Sequence, residues 1–254
     1  MPTVPFTHLL SRVLPNVPGC PQPLALQHIR DAAIRVCERT LAWRHVQVPY
    51  DLMPGVYEYA YAKPEGSEVH VLFAAHVNNS PLEILTLEQA LHKYPGWADL
   101  YSGVDPLSLW GQPGGVNGSE FNGAEFNGGS TFTLTDEAME SASEPRSVTQ
   151  VSPDKYVVLP LPGGERSYTL RMFYALRPSR SADGMDGTVL DELLEAITHS
   201  ALQQLLVMPG VAWSDRELAS YHARQALRDT TERRARANLG NMRGTLLATA
   251  PRFA

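Results

Sequence analysis

Cysteine is nearly absent from this chain of 254 residues: Cys20 and Cys37 are the only two. Two thiols build neither a disulfide framework nor a cysteine-based zinc site, so synthesis in a reducing cytoplasm is the expectation. Long apolar runs are missing as well. No stretch approaches the roughly 18 residues that a membrane helix needs, and no membrane partner is expected. The opening Met1-Pro-Thr-Val-Pro-Phe6 has no basic region ahead of an apolar run, so no secretion signal is expected. Basic charge is short overall. Lys and Arg number 21 against 27 Asp and Glu, a formal net charge of −6, which argues against a general nucleic-acid binder.

The motifs of catalysis are missing too. There is no His-Glu-x-x-His and no Gly-x-Ser-x-Gly, and Gly111-Gln-Pro-Gly-Gly115 lacks the Lys-Ser/Thr that completes a phosphate loop. His70 and His76 lie six residues apart, about 20 Å at strand rise, too far to share one ion. His28 and Asp31, one helical turn apart, read as a surface ion pair, and His199 with Glu192 and Glu195 reads as a solvated helix face. Cys37 falls on an apolar stripe, where it acts as a small hydrophobe. Tyr57, Tyr59 and Tyr61 line one strand face and read as core or subunit contact. No catalytic residue, cofactor or metal site is expected, and the chain is read as no enzyme.

What is present is an apolar fraction of 43%, enough to bury a sizeable core. Residues 1–22 form an irregular lead, broken by Pro15, Pro18 and Pro21, with Pro23 following. Leu24 to Trp43 reads as a helix with Leu26, Ile29, Ala33, Cys37 and Leu41 on one stripe, widened by Ile34. Pro23 suits its first turn. The period then becomes alternating. Val56–Tyr61, the Val69–Val77 run and Leu82–Leu85 read as strands, and Leu87–Tyr94 as a small helix. Residues 103–150 are least regular. Ser119-Glu-Phe-Asn-Gly123 is repeated as Ala124-Glu-Phe-Asn-Gly128, two copies of a turn-forming unit. Tyr156–Pro162 and Ser167–Leu176, joined across Gly163-Gly164, read as a β-hairpin. Tyr168, Leu170, Met172, Tyr174 and Leu176 share a face of its second strand.

After a linker at 178–187, Thr188 with Asp191 is expected to cap a helix in which Leu190, Leu194, Ile197, Ala201 and Leu205 share a face. Pro209-Gly210 ends it. Trp213-Ser214-x-x-Glu217-Leu218 then reads as a capping box with an apolar staple. The arm that follows is basic: Arg224, Arg228, Arg233, Arg234, Arg236 and Arg243 stand against Asp229 and Glu232 alone. Three readings of it stay open: a solvated face, an ion-pairing surface for an acidic protein partner, or non-specific contact with DNA phosphates.

The expected fold class is α+β. Residues 1–50 and 178–254 form a helical bundle with a C-terminal docking tail. Residues 51–177 form an inserted antiparallel β subdomain with a Gly/Asn-rich loop at about 111–135.

Taken in order, these features resemble the head-to-tail connector, or neck adaptor, proteins of tailed bacteriophages. The resemblance rests on Phe6-x-x-Leu-Leu-x-x-Val-Leu-Pro15, on Pro-Gly-Cys-Pro21 and Ile29-Arg-Asp-Ala-Ala-Ile34, and on the segment 156–178 ending Leu-Arg-Pro178. It rests most on Met208-Pro-Gly-x-x-Trp-Ser214 with Leu-Ala-x-Tyr-His222 and the arginine-rich tail. It leaves out the loop near 111–135. What it implies is a structural protein in the virion neck. Such a protein assembles with itself as a twelve-fold ring around the DNA channel, binds the portal protein, and carries a downstream tail or neck protein. Arg224, Arg228, Arg233, Arg234, Arg236, Arg243, Arg252 and Phe253 become the implied portal or subunit interface. Pro209, Gly210, Trp213, Ser214 and Glu217 hold the hairpin behind it. The alternative is another phage tail component: tail tube, baseplate or tail-fibre attachment protein.

Overall fold

The computed structural model describes residues 3–56, 58–94 and 144–239. The chain is α+β. Strand β1 (Thr3–Pro5) leads into tight helical turns that include α1 (Leu10–Val13), then α2 (Gln22–Thr40). Strands β2 (Arg44–Val46), β3 (Tyr50–Asp51), β4 (Glu58–Ala60), β5 (Ser67–Val77), β6 (Ser80–Pro81) and β7 (Glu83–Leu85) follow, then α3 (Leu87–Lys93). Strands β8 (Ser147–Gln150), β9 (Lys155–Leu159), β10 (Thr169–Pro178) and β11 (Gly184–Asp186) precede α4 (Gly187–Val207) and α5 (Arg216–Leu239). The tandem Asn-Gly loop and the tail after Gly244 lie outside the described residues.

Three sheets form. β1 pairs antiparallel with β11. A second sheet has the order β2-β10-β5-β6, with β3 also on β10. The third has the order β4-β9-β8-β7. In it β7 and β8 run parallel, a departure from the all-antiparallel expectation.

Two compact units divide the chain. One is Met1–His45, Lys63–Val71 and Tyr174–Ala254; the other is Val46–Ala62 and Leu72–Phe173. In the first, α4 packs along both α2 and α5, and α2 also meets α5. Phe6, Leu9 and Val13 from the N-terminal turns are buried with Ile29 of α2 and Leu190, Leu193 and Ile197 of α4. Burying each large side chain contributes about 1.5–3 kcal/mol. The prolines of the lead do not leave it irregular, because short turns need few backbone donors.

The buried face of α2 is Ala25, Ile29, Ala32, Ala33, Val36, Cys37 and Thr40. It is turned from the expected stripe, and Leu26 and Ile34 are left half-exposed. Three alanines on that face let a neighbouring helix approach closely. The helix stops at Thr40 because Leu41 takes a left-handed conformation, φ 53°, with its amide on the Cys37 carbonyl. Trp43, expected within the helix, lies beyond it and is buried, and its carbonyl oxygen accepts from the Leu176 amide at 2.7 Å.

The second unit has its own apolar centre, where Leu85, Ala90, Val157 and Leu159 meet Leu87 and Tyr94. Thr86 and Gln89 form a capping box at the start of α3. Tyr156 is fully buried beside Tyr59 and Tyr61, with ring centroids 5.8 and 4.7 Å away.

The expected hairpin of 156–176 does not form. β9 is hydrogen-bonded on both sides, to β4 and β8, so no edge is left for β10. Pro160 and Pro162 supply no amide hydrogen to continue a ladder. The face expected for β10 is present, with Tyr168, Leu170, Met172, Tyr174 and Leu176 all buried. β5 alternates less simply than expected: Val69, Leu72, Ala75 and Val77 are buried while Phe73 is exposed, so the inward phase slips around Leu72.

Candidate docking surface

The C-terminal hairpin belongs to the first unit and is built from its turn outward. α4 ends at Val207, and Gly210 takes φ +76°, a conformation that a side chain resists. The Asp215 amide then returns to the Leu206 carbonyl at 3.0 Å, closing the turn. The cap of α5 is not Ser214. Asp215 Oδ1 accepts from the Glu217 and Leu218 amides at 3.0 and 2.9 Å. The Ser214 hydroxyl points back and donates to the Leu206 carbonyl oxygen. The cap expected at Ser214 is therefore displaced by one residue, to Asp215. A carboxylate at the first-turn amides also gains from the helix dipole, which a hydroxyl does not. The same correction applies to α4. Asp186, not Thr188 with Asp191, is its cap, accepting from the amides of Thr188 and Val189 at 2.9 and 3.4 Å and from the Thr188 hydroxyl.

α5 buries a narrow stripe of Ala219, His222, Ala226 and Thr230, spaced three, four and four residues apart. Beyond Thr230 no described position of this helix up to Asn238 is buried. Arg224, Arg228, Arg234 and Arg236 are exposed and Arg233 is half-exposed. Arg228 meets Glu232 at 3.1 Å across one turn, an exposed pair of small energetic weight. Tyr221 and Leu227 add apolar area to the outward side, the latter 64% exposed. The arm thus joins guanidinium groups with two large apolar side chains, a composition suited to protein contact. Arg243, Arg252 and Phe253 lie outside the described residues.

A groove of about 1000 Å³ runs along the other side of α2, with Arg30, Arg35, Arg177 and Arg180 facing Asp31, Glu38 and Glu68. Its charges nearly cancel. Arg177 bridges Glu38 and Glu68, the latter at 3.0 Å, and Arg30 donates to the Ala182 carbonyl oxygen at 2.7 Å. Arg30 and Arg177 are thus already used within the fold.

Two histidine expectations change, those for His28 and His199. His28 meets Gln204 at 3.1 Å rather than Asp31. His76 lies edge-on to Phe173, centroids 5.9 Å apart. His199 is not on a solvated face: its Nδ1 is 2.8 Å from Nδ1 of His222. The signal for that pair was present in the spacing. With Leu206 and Asp215 joined at the turn, His199 and His222 each lie seven residues, two helical turns, from the closure. Among the described residues no group of three or more His, Cys, Asp or Glu side chains is placed to hold a metal ion. No described helix is long and apolar enough to cross a membrane. No protein-family model matches the chain, and no curated protein matches it.

Proposed function

We propose that this chain is a virion structural protein of the head-to-tail connector type. In this reading the three long helices form a bundle carrying the inserted β subdomain. Copies assemble as a ring between portal and tail, and α5 with the tail beyond it docks on the portal. The observation that supports it is the makeup of α5. This helix is capped at its start and held by a stripe of mostly small residues. It then continues past its packing partners with an arginine-bearing outer surface. A helix built this way contributes little to its own core, and its extra length suits contact with another chain. A ring wall also needs heterologous side-to-side contacts, which an asymmetric outer surface supplies.

Native mass spectrometry of the protein alone and mixed with the portal of the same virus tests the reading. Ring-sized complexes on the portal are expected. A folded protein that never associates would move the assignment to another tail component. Truncation before Gly244 is expected to leave a folded chain that fails to enter particles; normal incorporation would overturn the docking role of the tail.

A further inference from the structure

We propose that His199 and His222 form an acid-sensitive catch between α4 and α5. The two Nδ1 atoms are 2.8 Å apart, close enough that one must donate and the other accept. His222 is 6% exposed, and its Nε2 is buried without a hydrogen-bond partner among the described residues. If His199 were the donor, the proton of neutral His222 would sit on that buried Nε2 as a stranded donor. With His222 as donor, only a lone pair is stranded. The geometry therefore selects Nδ1–H of His222 donating to Nδ1 of His199.

One further proton has two places to go, and each is unfavourable. On half-exposed His199 it either sets two N–H groups against each other or drives the His222 proton onto the buried Nε2 as a stranded donor. On His222 Nε2 it puts a charge in the interior. The surroundings do not offset that charge. From α2, Arg35 and Arg39 line the same stretch of α5 as Ala223 and Ala226. From α4, Ser200 and Gln203 are neutral, and Glu195, one turn before His199, already holds Arg12 at 2.7 Å. On α5, the Tyr221 ring lies 5.2 Å from His222 and Arg224 points outward. Burial first, and the His199 charge second, hold His222 below the ordinary histidine value.

An unfolded histidine binds its proton near the ordinary value of about 6.5, where folded His222 does not. The pair's contribution is complete above that value and is lost as pH falls through the histidine range. Acid thus loosens α5 from α4 first.

Hydrogen exchange of the full chain tests this, with rates corrected for the intrinsic effect of pH. Between about pH 7.5 and about pH 5.5, opening at the Ala219–Thr230 amides should rise about threefold or more relative to those of β9. In the His199→Gln/His222→Gln double variant the difference should vanish. A flat wild-type profile, or the same slope in the double variant, would overturn the proposal. Should the double variant fail to fold, imidazole NMR titration of the wild type decides. Coupled titration with His222 below the ordinary value is expected, and two independent ordinary titrations would refute the catch.

Discussion

The Ser214 hydroxyl donates to the carbonyl oxygen of Leu206 at 3.3 Å, across the turn joining α4 to α5. Its neighbour Asp215 holds the first amides of α5. Asp215→Ala should therefore lower stability by about 1 kcal/mol through loss of the cap. Ser214→Ala should cost less, about 0.5 kcal/mol, through one long hydrogen bond. Urea unfolding of the two variants compares them directly; an equal or reversed order would contradict the placement of the cap.

Asp186 should give the start of α4 an acid-labile element. Burial pushes its carboxyl up, but hydrogen bonds from the Thr188 hydroxyl and from the Thr188 and Val189 amides outweigh burial and hold it below the ordinary aspartate value. A depressed carboxylate stabilises the fold above the ordinary value and loses that contribution as pH falls through the folded one. Asp186→Asn should flatten the acid limb of a stability-against-pH curve below about pH 4. It should leave the neutral region lower by about 0.3–1 kcal/mol, because the amide keeps the cap but loses the charge at the helix start.

Arg177 joins Glu38 of α2 to Glu68 of β5, all three half-buried. Arg177→Met removes the cation and leaves two carboxylates facing each other. A loss of about 1–3 kcal/mol is expected, smaller than for a fully buried pair because water reaches the site. The triple change that also replaces Glu38 and Glu68 by Gln should recover part of it. Thermal unfolding of the set measures the coupling, and no recovery would place the cost elsewhere.

Gly184 pairs with Pro5 in the β1–β11 ladder, and a Cβ there would lie 2.3 Å from the Val4 carbonyl oxygen. Gly184→Ala should separate the two strands and destabilise the chain by about 2 kcal/mol. Amide exchange at Phe6, which bonds the Asp183 carbonyl at 2.9 Å, reports the loss locally.

Cys37 should be inert in the folded chain. Burial, with a smaller contribution from the Glu38 charge, pushes its thiol up to about 12. Alkylation at about pH 8 should proceed at the rate of global unfolding and accelerate in denaturant. Rapid labelling in native buffer would contradict its burial within α2.

The long helices and the inward face of β10 were legible because they follow simple periods. Ile29, Ala33 and Cys37 recur along α2, and Leu170, Met172, Tyr174 and Leu176 alternate in β10. The partnership of β9 was not legible. Val157 and Val158 tell of a buried strand, but not which neighbours take its edges, and adjacency in sequence suggested the wrong one. Caps were misplaced by one or two residues where Ser214 adjoins Asp215 and Asp186 precedes Thr188, since several residue types there can accept the same amides. The histidine contact needed the hairpin closure as well as the helical period, and only the two together bring His199 to His222.

The parallel pairing of β7 with β8 sets a lower limit on the length of what joins them. Parallel neighbours cannot be linked by a tight turn, because the chain must return to the end at which it began, and that crossover takes about a dozen residues or more. The segment 86–146 contains both Phe-Asn-Gly copies and far exceeds that minimum. Trimmed to a two-residue turn, it would force β8 to reverse direction, and Val148 would lose its register with Ile84 and Val158 together.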